Sequence, residues 1–341
     1  MQDVVPDNAR PVARWLLLLC ALVFLMVVLG GVTRLTGSGL SITDWRPVTG
    51  ILPPISDQAW EETFARYRQT PEFREVNPAM DLGAFKGIFW LEYLHRLLGR
   101  VIGMVFLVPF AWFLWRGRIR RDAWPKYTLM FVLGGLQGVL GWYMVKSGLT
   151  DNPRVSQYRL VAHLVAAIAI YGYMLWLALT LLHPRQAASP HPWFGRTAAL
   201  GALVLVTVVS GGFVAGLDAG LMYNTFPMMG DYWIPPDYGA LEPAWRNLFE
   251  NMAAVQFNHR VLAVTTFCVI VAYWWFARRQ SLPRRLRAGT TALLHTAVLQ
   301  VALGVSTLVF MVPIPLAALH QAVALVLLTV VVYLCHGLRR A

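Results

Sequence analysis

Charge is scarce in this sequence. Asp, Glu, Lys and Arg make up 13% of its 341 residues, against about 25% in an ordinary soluble domain, so the deficit must sit in long uncharged runs. Cysteine is also scarce. Cys20, Cys268 and Cys335 each lie inside or at the end of an apolar run, and the long loops contain none. That placement argues against a disulfide framework and against cysteine-built metal sites. The segment Met1 to Arg14 lacks the Arg/Ser-rich character of a transit peptide. The apolar run after it is too long for a signal peptide and shows no clear small-residue cleavage site, so it is read as a retained first helix.

What the sequence has in abundance is hydrophobic residues, 57% of the chain. They fall into runs near the length of about 20 residues that crosses a bilayer as a helix. The predicted spans are 13–33, 86–115, 126–146, 157–182, 196–216, 250–277, 288–312 and 314–338. The last two are joined across Val312-Pro313-Ile314-Pro315, where proline removes backbone donors and ends a helix. The net charge of +12 would suit nucleic acid if the basic residues formed one patch. Instead they sit in short loops: Arg10 and Arg14; Arg116, Arg118, Arg120, Arg121 and Lys126; Arg185 and Arg196; Arg278, Arg279, Arg284, Arg285 and Arg287; Arg339 and Arg340. With eight spans all five groups fall on one side, the cytoplasmic side by the positive-inside rule, so both termini are expected there. The other side carries two longer loops, roughly 34–85 and 217–249. In the first, Trp60, Phe64 and Tyr67 share one face of a helix, which suits a short helix on the membrane surface. A loop packing its own aromatics is the plainer alternative.

The two halves repeat one another. Gly30-Gly31-Val32 through Gly39-Leu40 aligns with Gly211-Gly212-Phe213 through Gly220-Leu221; Leu94-His95-Arg96 with Asn258-His259-Arg260; Leu136-Gln137 and Gly141 with Leu299-Gln300 and Gly304; and His163 with His320. The expected architecture is an all-α integral membrane protein whose eight helices form two pseudo-symmetric four-helix bundles, residues 1–185 and 186–341, related by an axis along the membrane normal.

Eight histidines occur. His183, His191 and His336 fall in or near loops and are expected to be solvated or interfacial, and His295 is read as a packing residue. His95, His163, His259 and His320 lie inside apolar helices at similar depth, one pair per half. Polar residues in membranes do serve as packing glue, but intramembrane ionisable residues are rare and usually functional. Two facing neutral imidazoles suit the axial positions of heme iron in a bundle core. Zinc or copper would ask for a third or fourth ligand, and no cysteine or acid completes such a set in both halves. Arg96 and Arg260 follow a histidine and are candidates to pair with heme propionates or to snorkel to the interface. Glu92 lies three residues before His95, on nearly the same helix face, and its counterpart is Gln256. A buried carboxylate beside one site only suits proton transfer there; pairing with Arg96 one turn on is the plainer role. The contrast suggests that the first half does chemistry while the second carries electrons.

These residues resemble the heme A synthase family of bacteria and mitochondria, over nearly the whole chain. The resemblance rests on Gly30 to Ser41 (GGVTRLTGSGLS), on Glu92-x-x-His95-Arg96, on Asn258-His259-Arg260, and on His163 and His320. It implies an oxidoreductase acting on a CH or CH3 group, which oxidises the C8 methyl of heme O to a formyl by two hydroxylations and a dehydration, giving heme A for cytochrome oxidase. By the same resemblance His95 and His163 take the substrate heme, His259 and His320 ligate the iron of a heme b cofactor, and Glu92 is the functional glutamate. Part of the family carries a cysteine pair in its first outer loop. None occurs in 34–85, so the chain is similar to the proteobacterial and mitochondrial class without that pair. A multi-pass protein of the bacterial inner membrane follows, with heme O, the lipid bilayer, the enzyme that makes heme O, an electron acceptor and further copies of the chain as candidate partners, and no nucleic acid. The alternatives are a di-heme membrane cytochrome b relaying electrons from quinol, and a transporter or heme chaperone, although no continuous polar path crosses the inner half of either bundle.

Overall fold

The computed structural model describes residues 9–45, 50–150, 153–183 and 189–340. The expected 185/186 boundary, Arg185 and the first residues of the N-terminal segment lie outside them. Among the described residues there are ten α-helices and no strand: α1 Ala9–Leu35, α2 Asp57–Tyr67, α3 Pro71–Glu75, α4 Leu82–Trp115, α5 Trp124–Thr150, α6 Gln157–Leu182, α7 Phe194–Gly216, α8 Met252–Ala277, α9 Arg284–Val309 and α10 Ile314–Arg340. Eight of them, all but α2 and α3, are long and apolar enough to cross a membrane. Their ends differ from the expected spans by only a few residues, and the chain is a multi-pass membrane protein. It separates into two compact units, Met1–Tyr171 and Gly172–Ala341, the division falling inside α6.

In the first unit α4 packs along α1 and α5. Between membrane helices lipid removes most of the hydrophobic driving force, so packing and interhelical hydrogen bonds must hold them. At one end Trp15 of α1 sits among Phe106, Phe110, Phe113 and Tyr127 and donates its indole N–H to Val105 O at 2.8 Å. At the other end α4 starts at a cap, Asp81 Oδ1 accepting from Ala84 N at 2.7 Å, and its first turns form a post. Here α2 docks, with Trp60, Phe64 and Tyr67 buried against Phe85 and Phe89. The short helix expected from the aromatic spacing is present, and its aromatic face is spent on α4.

In the second unit α7 packs on α8 and α10, and α9 on both as well. Thr207 and Thr266 join their hydroxyls across α7 and α8 at 2.7 Å, and Thr197 meets Tyr273 at 2.7 Å. The α9–α10 connection is tight: Met311 and Val312 lie in the left-handed region at φ 62° and 58°, an uncommon conformation that strains a β-branched residue. Pro315 then falls in the first turn of α10, where its missing N–H costs nothing.

Two other histidines differ from expectation. His336 is buried, not solvated, because α6 packs over it: its ring lies edge-on to Trp176 and 3.3 Å from the Thr180 hydroxyl. His295 is exposed on the outward side of α9 and packs into no core.

Candidate functional site

The four histidines of interest sit on α4, α6, α8 and α10. In each unit the two rings lie within electrostatic reach of one another, His95 with His163 and His259 with His320. Each ring rests on a glycine of the preceding membrane helix. A Cβ added at Gly30 would fall 3.0 Å from His95 Cε1, at Gly141 3.0 Å from His163 Cε1, at Gly211 3.0 Å from His259 Cε1 and at Gly304 2.9 Å from His320 Cε1. Ordinary carbon–carbon contacts lie at about 3.5–4.0 Å, so none of the four seats has room for a methyl group. These glycines stood out in the sequence only as members of the repeat; their role as seats comes from the fold.

Nδ1 of His95, His163 and His320 is buried without a hydrogen-bond partner. His259 differs, because Ser210 Oγ lies 2.8 Å from its Nδ1 and 2.7 Å from Thr207 O. A hydroxyl has one proton to give. Ser210, donating to Thr207, therefore accepts from Nδ1–H of His259, which leaves Nε2 with a free lone pair, as a metal-binding imidazole requires. The matching residue in the first unit is Leu29, which offers no such partner. The aligned glutamines also approach the histidines. Gln137 Nε2 donates to the backbone O of His163 at 2.6 Å, Gln300 Nε2 lies 3.4 Å from His320 Nε2, and Oε1 of both is buried and unpartnered.

Buried polar atoms are nearly always paired, so unpartnered ones gathered around two histidine pairs call for a ligand. Among the described residues no three or more His, Cys, Asp or Glu side chains come together to hold a metal ion. A pair of imidazoles with no third protein ligand suits porphyrin iron, whose remaining ligands come from the macrocycle.

Glu92 and Arg96 form a clamp on the segment that follows α1. Glu92 Oε1 accepts from Arg96 Nε at 3.0 Å and from Nη2 at 2.6 Å, while Oε2 accepts from Ser41 Oγ at 2.7 Å and Ile42 N at 2.8 Å. Arg96 Nη2 and Nη1 also donate to Ile42 O and Asp44 O, each at 3.0 Å. The second unit repeats the pattern: Arg260 Nη2 donates to Tyr223 O and Nη1 to Thr225 O, both at 2.8 Å, and by the repeat those residues match Ile42 and Asp44. Both guanidinium groups, candidates for heme propionates, thus spend these donors on backbone carbonyls. Gln256 replaces the carboxylate and reverses the bond, its Nε2 donating to Tyr223 O at 2.9 Å; its Oε1 and Arg260 Nε, whose counterparts are joined in the first unit, are buried and unpartnered. The ion pair weighed for Glu92 is present, and the pinning of residues 41 and 42 is added to it.

The pinned segment reaches across the unit, since the Trp45 ring lies 5.1 Å from that of Trp142 of α5, tilted to it by 33°. Nearby, burial pushes the Glu72 carboxyl of α3 up to about 7, against the lowering effect of a hydrogen bond with Tyr67 and with a further rise from the charge of Glu92. Glu72 escaped notice in the sequence because it is one of several acids in a loop of mixed charge.

A family model described as cytochrome oxidase assembly protein matches residues 13–332. The chain is 51% identical over 335 residues to heme A synthase of Nitrosospira multiformis, covering 97% of this chain and 94% of that protein. It is 47% identical over 348 residues to heme A synthase COX15 of Homo sapiens, covering 98% and 85%. With heme A synthase COX15 of Arabidopsis thaliana it shares 46% identity over 348 residues, covering 98% and 76%.

Proposed function

The chain belongs to the heme A synthase family, and from that premise we propose that its first half, residues 1–185, binds heme O between His95 and His163 and oxidises the C8 methyl group. The second half, residues 186–341, holds a resident heme b between His259 and His320. The protein is a membrane-embedded enzyme of heme A biosynthesis; the proposal adds an oxidoreductase reaction on a CH3 carbon, the assignment of each histidine pair, and a bacterial inner membrane location with both termini cytoplasmic.

The observation that carries the division of labour is the contrast of Glu92 with Gln256 on otherwise matched scaffolds. Heme b, when bound, supplies one-electron redox chemistry. Ser210 orients His259 toward it, and Gln256 keeps a carboxylate away from it. In the first half Glu92 and Arg96 hold residues 41–44, and Trp45 closes on Trp142. This strap excludes water from the reacting end of the substrate, which strengthens every electrostatic interaction inside. Glu92 is the group placed to take the proton released as the methyl is oxidised, with Arg96 balancing its charge.

The test is heme extraction from a host that makes heme O and lacks its own heme A synthase. Gln occupies the matching position of the second unit with a good hydrogen bond, so Glu92→Gln is expected to fold and to keep both hemes bound while heme A disappears. Undiminished heme A in that variant would remove Glu92 from the chemistry. A di-heme relay, by contrast, has no use for a carboxylate in one half alone.

A further inference from the structure

The face of the first unit that carries the long loop also bears cations that the second unit lacks. Arg159 lies one turn before His163 on α6, on the same helix face and about 6 Å nearer the helix start at 1.5 Å per residue. Its guanidinium carbon stands 4.0 Å above the ring of Tyr143, and Nη1 donates to Tyr143 O at 3.2 Å. Tyr143 follows closely on Gly141, the seat of His163. Lys146 stands 5.0 Å over Trp142, the ring that Trp45 packs against. By the repeat, Arg159 corresponds to Leu316 and Lys146 to Val309. Cations on this face run against the charge bias that orients membrane proteins.

A heme lying between His95 and His163 has two carboxylates on one edge, several ångströms from its iron. Arg96, the nearest arginine in sequence to a ligand, donates to Ile42 O, Asp44 O and Glu92. We propose that Arg159, assisted by Lys146, binds the propionate carboxylates of the substrate porphyrin, and that this anion-binding rim distinguishes the exchanging substrate site from the resident cofactor site. The inference rests on the reading that the first half takes heme O. Arg159 suits the task because a guanidinium stacked on an aromatic ring keeps donors free in a fixed plane. Its place at the rim lets a carboxylate be captured and released.

The experiment compares heme O with its propionate dimethyl ester on the full-length protein in lipid nanodiscs free of anionic lipid. Wild type is expected to bind heme O about tenfold more tightly than the diester, the order of one charge-assisted hydrogen bond discounted for solvent. Arg159→Leu should raise the Kd and KM for heme O by about that factor, leave kcat and heme b content unchanged, and bind the diester as wild type does. Arg159→Lys should recover part of the loss. Equal affinity of wild type for acid and ester would overturn the proposal. So would a variant that loses both ligands together, or discrimination that appears only when anionic lipid is added, which would assign the cations to lipid phosphates. Loss of heme b in Arg159→Leu marks a misfolded variant, and the wild-type comparison then decides. Failure of the wild-type protein to bind or convert heme O at all would instead sink the functional reading.

Discussion

Replacing Gly304 by alanine isolates the seat of one ligand from everything else in the second unit. The added Cβ would stand 2.9 Å from His320 Cε1, 3.4 Å from Nδ1 and 3.7 Å from Nε2. Restoring an ordinary contact of about 3.5 Å requires the ring to retreat by roughly half an ångström or to leave its rotamer. Overpacking of this kind costs about 1–3 kcal/mol, which, borne by the ligated state, weakens heme b binding by about five- to 150-fold. The helix itself loses nothing, since alanine is favoured over glycine in a helix interior by about 0.5–1 kcal/mol. The assay is heme b per polypeptide in the purified protein, together with the rate of heme transfer to an apoprotein acceptor. Gly172→Ala is the control, because nothing lies within 4 Å of its added Cβ. The reasoning is refuted if Gly304→Ala retains heme b as wild type does, or if Gly172→Ala loses it equally.

Ser210→Ala removes the acceptor for Nδ1–H of His259. Loss of such an orienting partner usually costs about 10- to 100-fold in metal affinity, so heme b retention should fall and its midpoint potential should move; an unchanged potential would contradict the tautomer assignment. Trp45→Ala breaks a ring pair of about 0.5–1.5 kcal/mol and loosens the strap, so heme A formation should drop while heme b content stays constant, and a parallel loss of heme b would contradict this. Glu72 is held at about 7, above the roughly 4.3 of an exposed glutamate. The folded chain therefore holds this proton more tightly than the unfolded chain does. Its contribution to stability is complete below the unfolded value and is lost as pH rises through 7, about 3–4 kcal/mol in all. Hydrogen exchange across Asp57–Glu75 should quicken from pH 5 to 8 in wild type beyond the intrinsic rate, and Glu72→Gln should abolish that excess; if the excess persists, Glu72 is not its source.

Much of this architecture is written in patterns that a sequence displays directly. Apolar runs of bilayer length show the spans, and ionisable residues inside them mark His95, His163, His259, His320 and Glu92. What escaped was the work of groups that patterns do not encode. Ile42 O, Asp44 O, Tyr223 O and Thr225 O capture Arg96 and Arg260, yet a backbone carbonyl leaves no trace in residue identity. The propionate role considered for those arginines came from side-chain types, and the carbonyl bonds add a second role that residue identity did not show. Gly30, Gly141, Gly211 and Gly304 were visible as aligned glycines, but only helix packing shows that a histidine ring lies over each. Ser210 had no signal beyond standing before a glycine, and the burial of His336 depended on Trp176 and Thr180 of α6 packing over it.

The most direct test of the account is mass spectrometry of the hemes bound to purified wild-type, His95→Ala and His259→Ala proteins. If each half holds its own porphyrin on its own histidine pair, wild type carries heme b together with heme O or its oxidised products. His259→Ala then loses heme b while retaining heme O, and His95→Ala loses heme O while retaining heme b. Loss of the same heme from both variants, or a wild-type protein carrying heme b alone in a host rich in heme O, would contradict it.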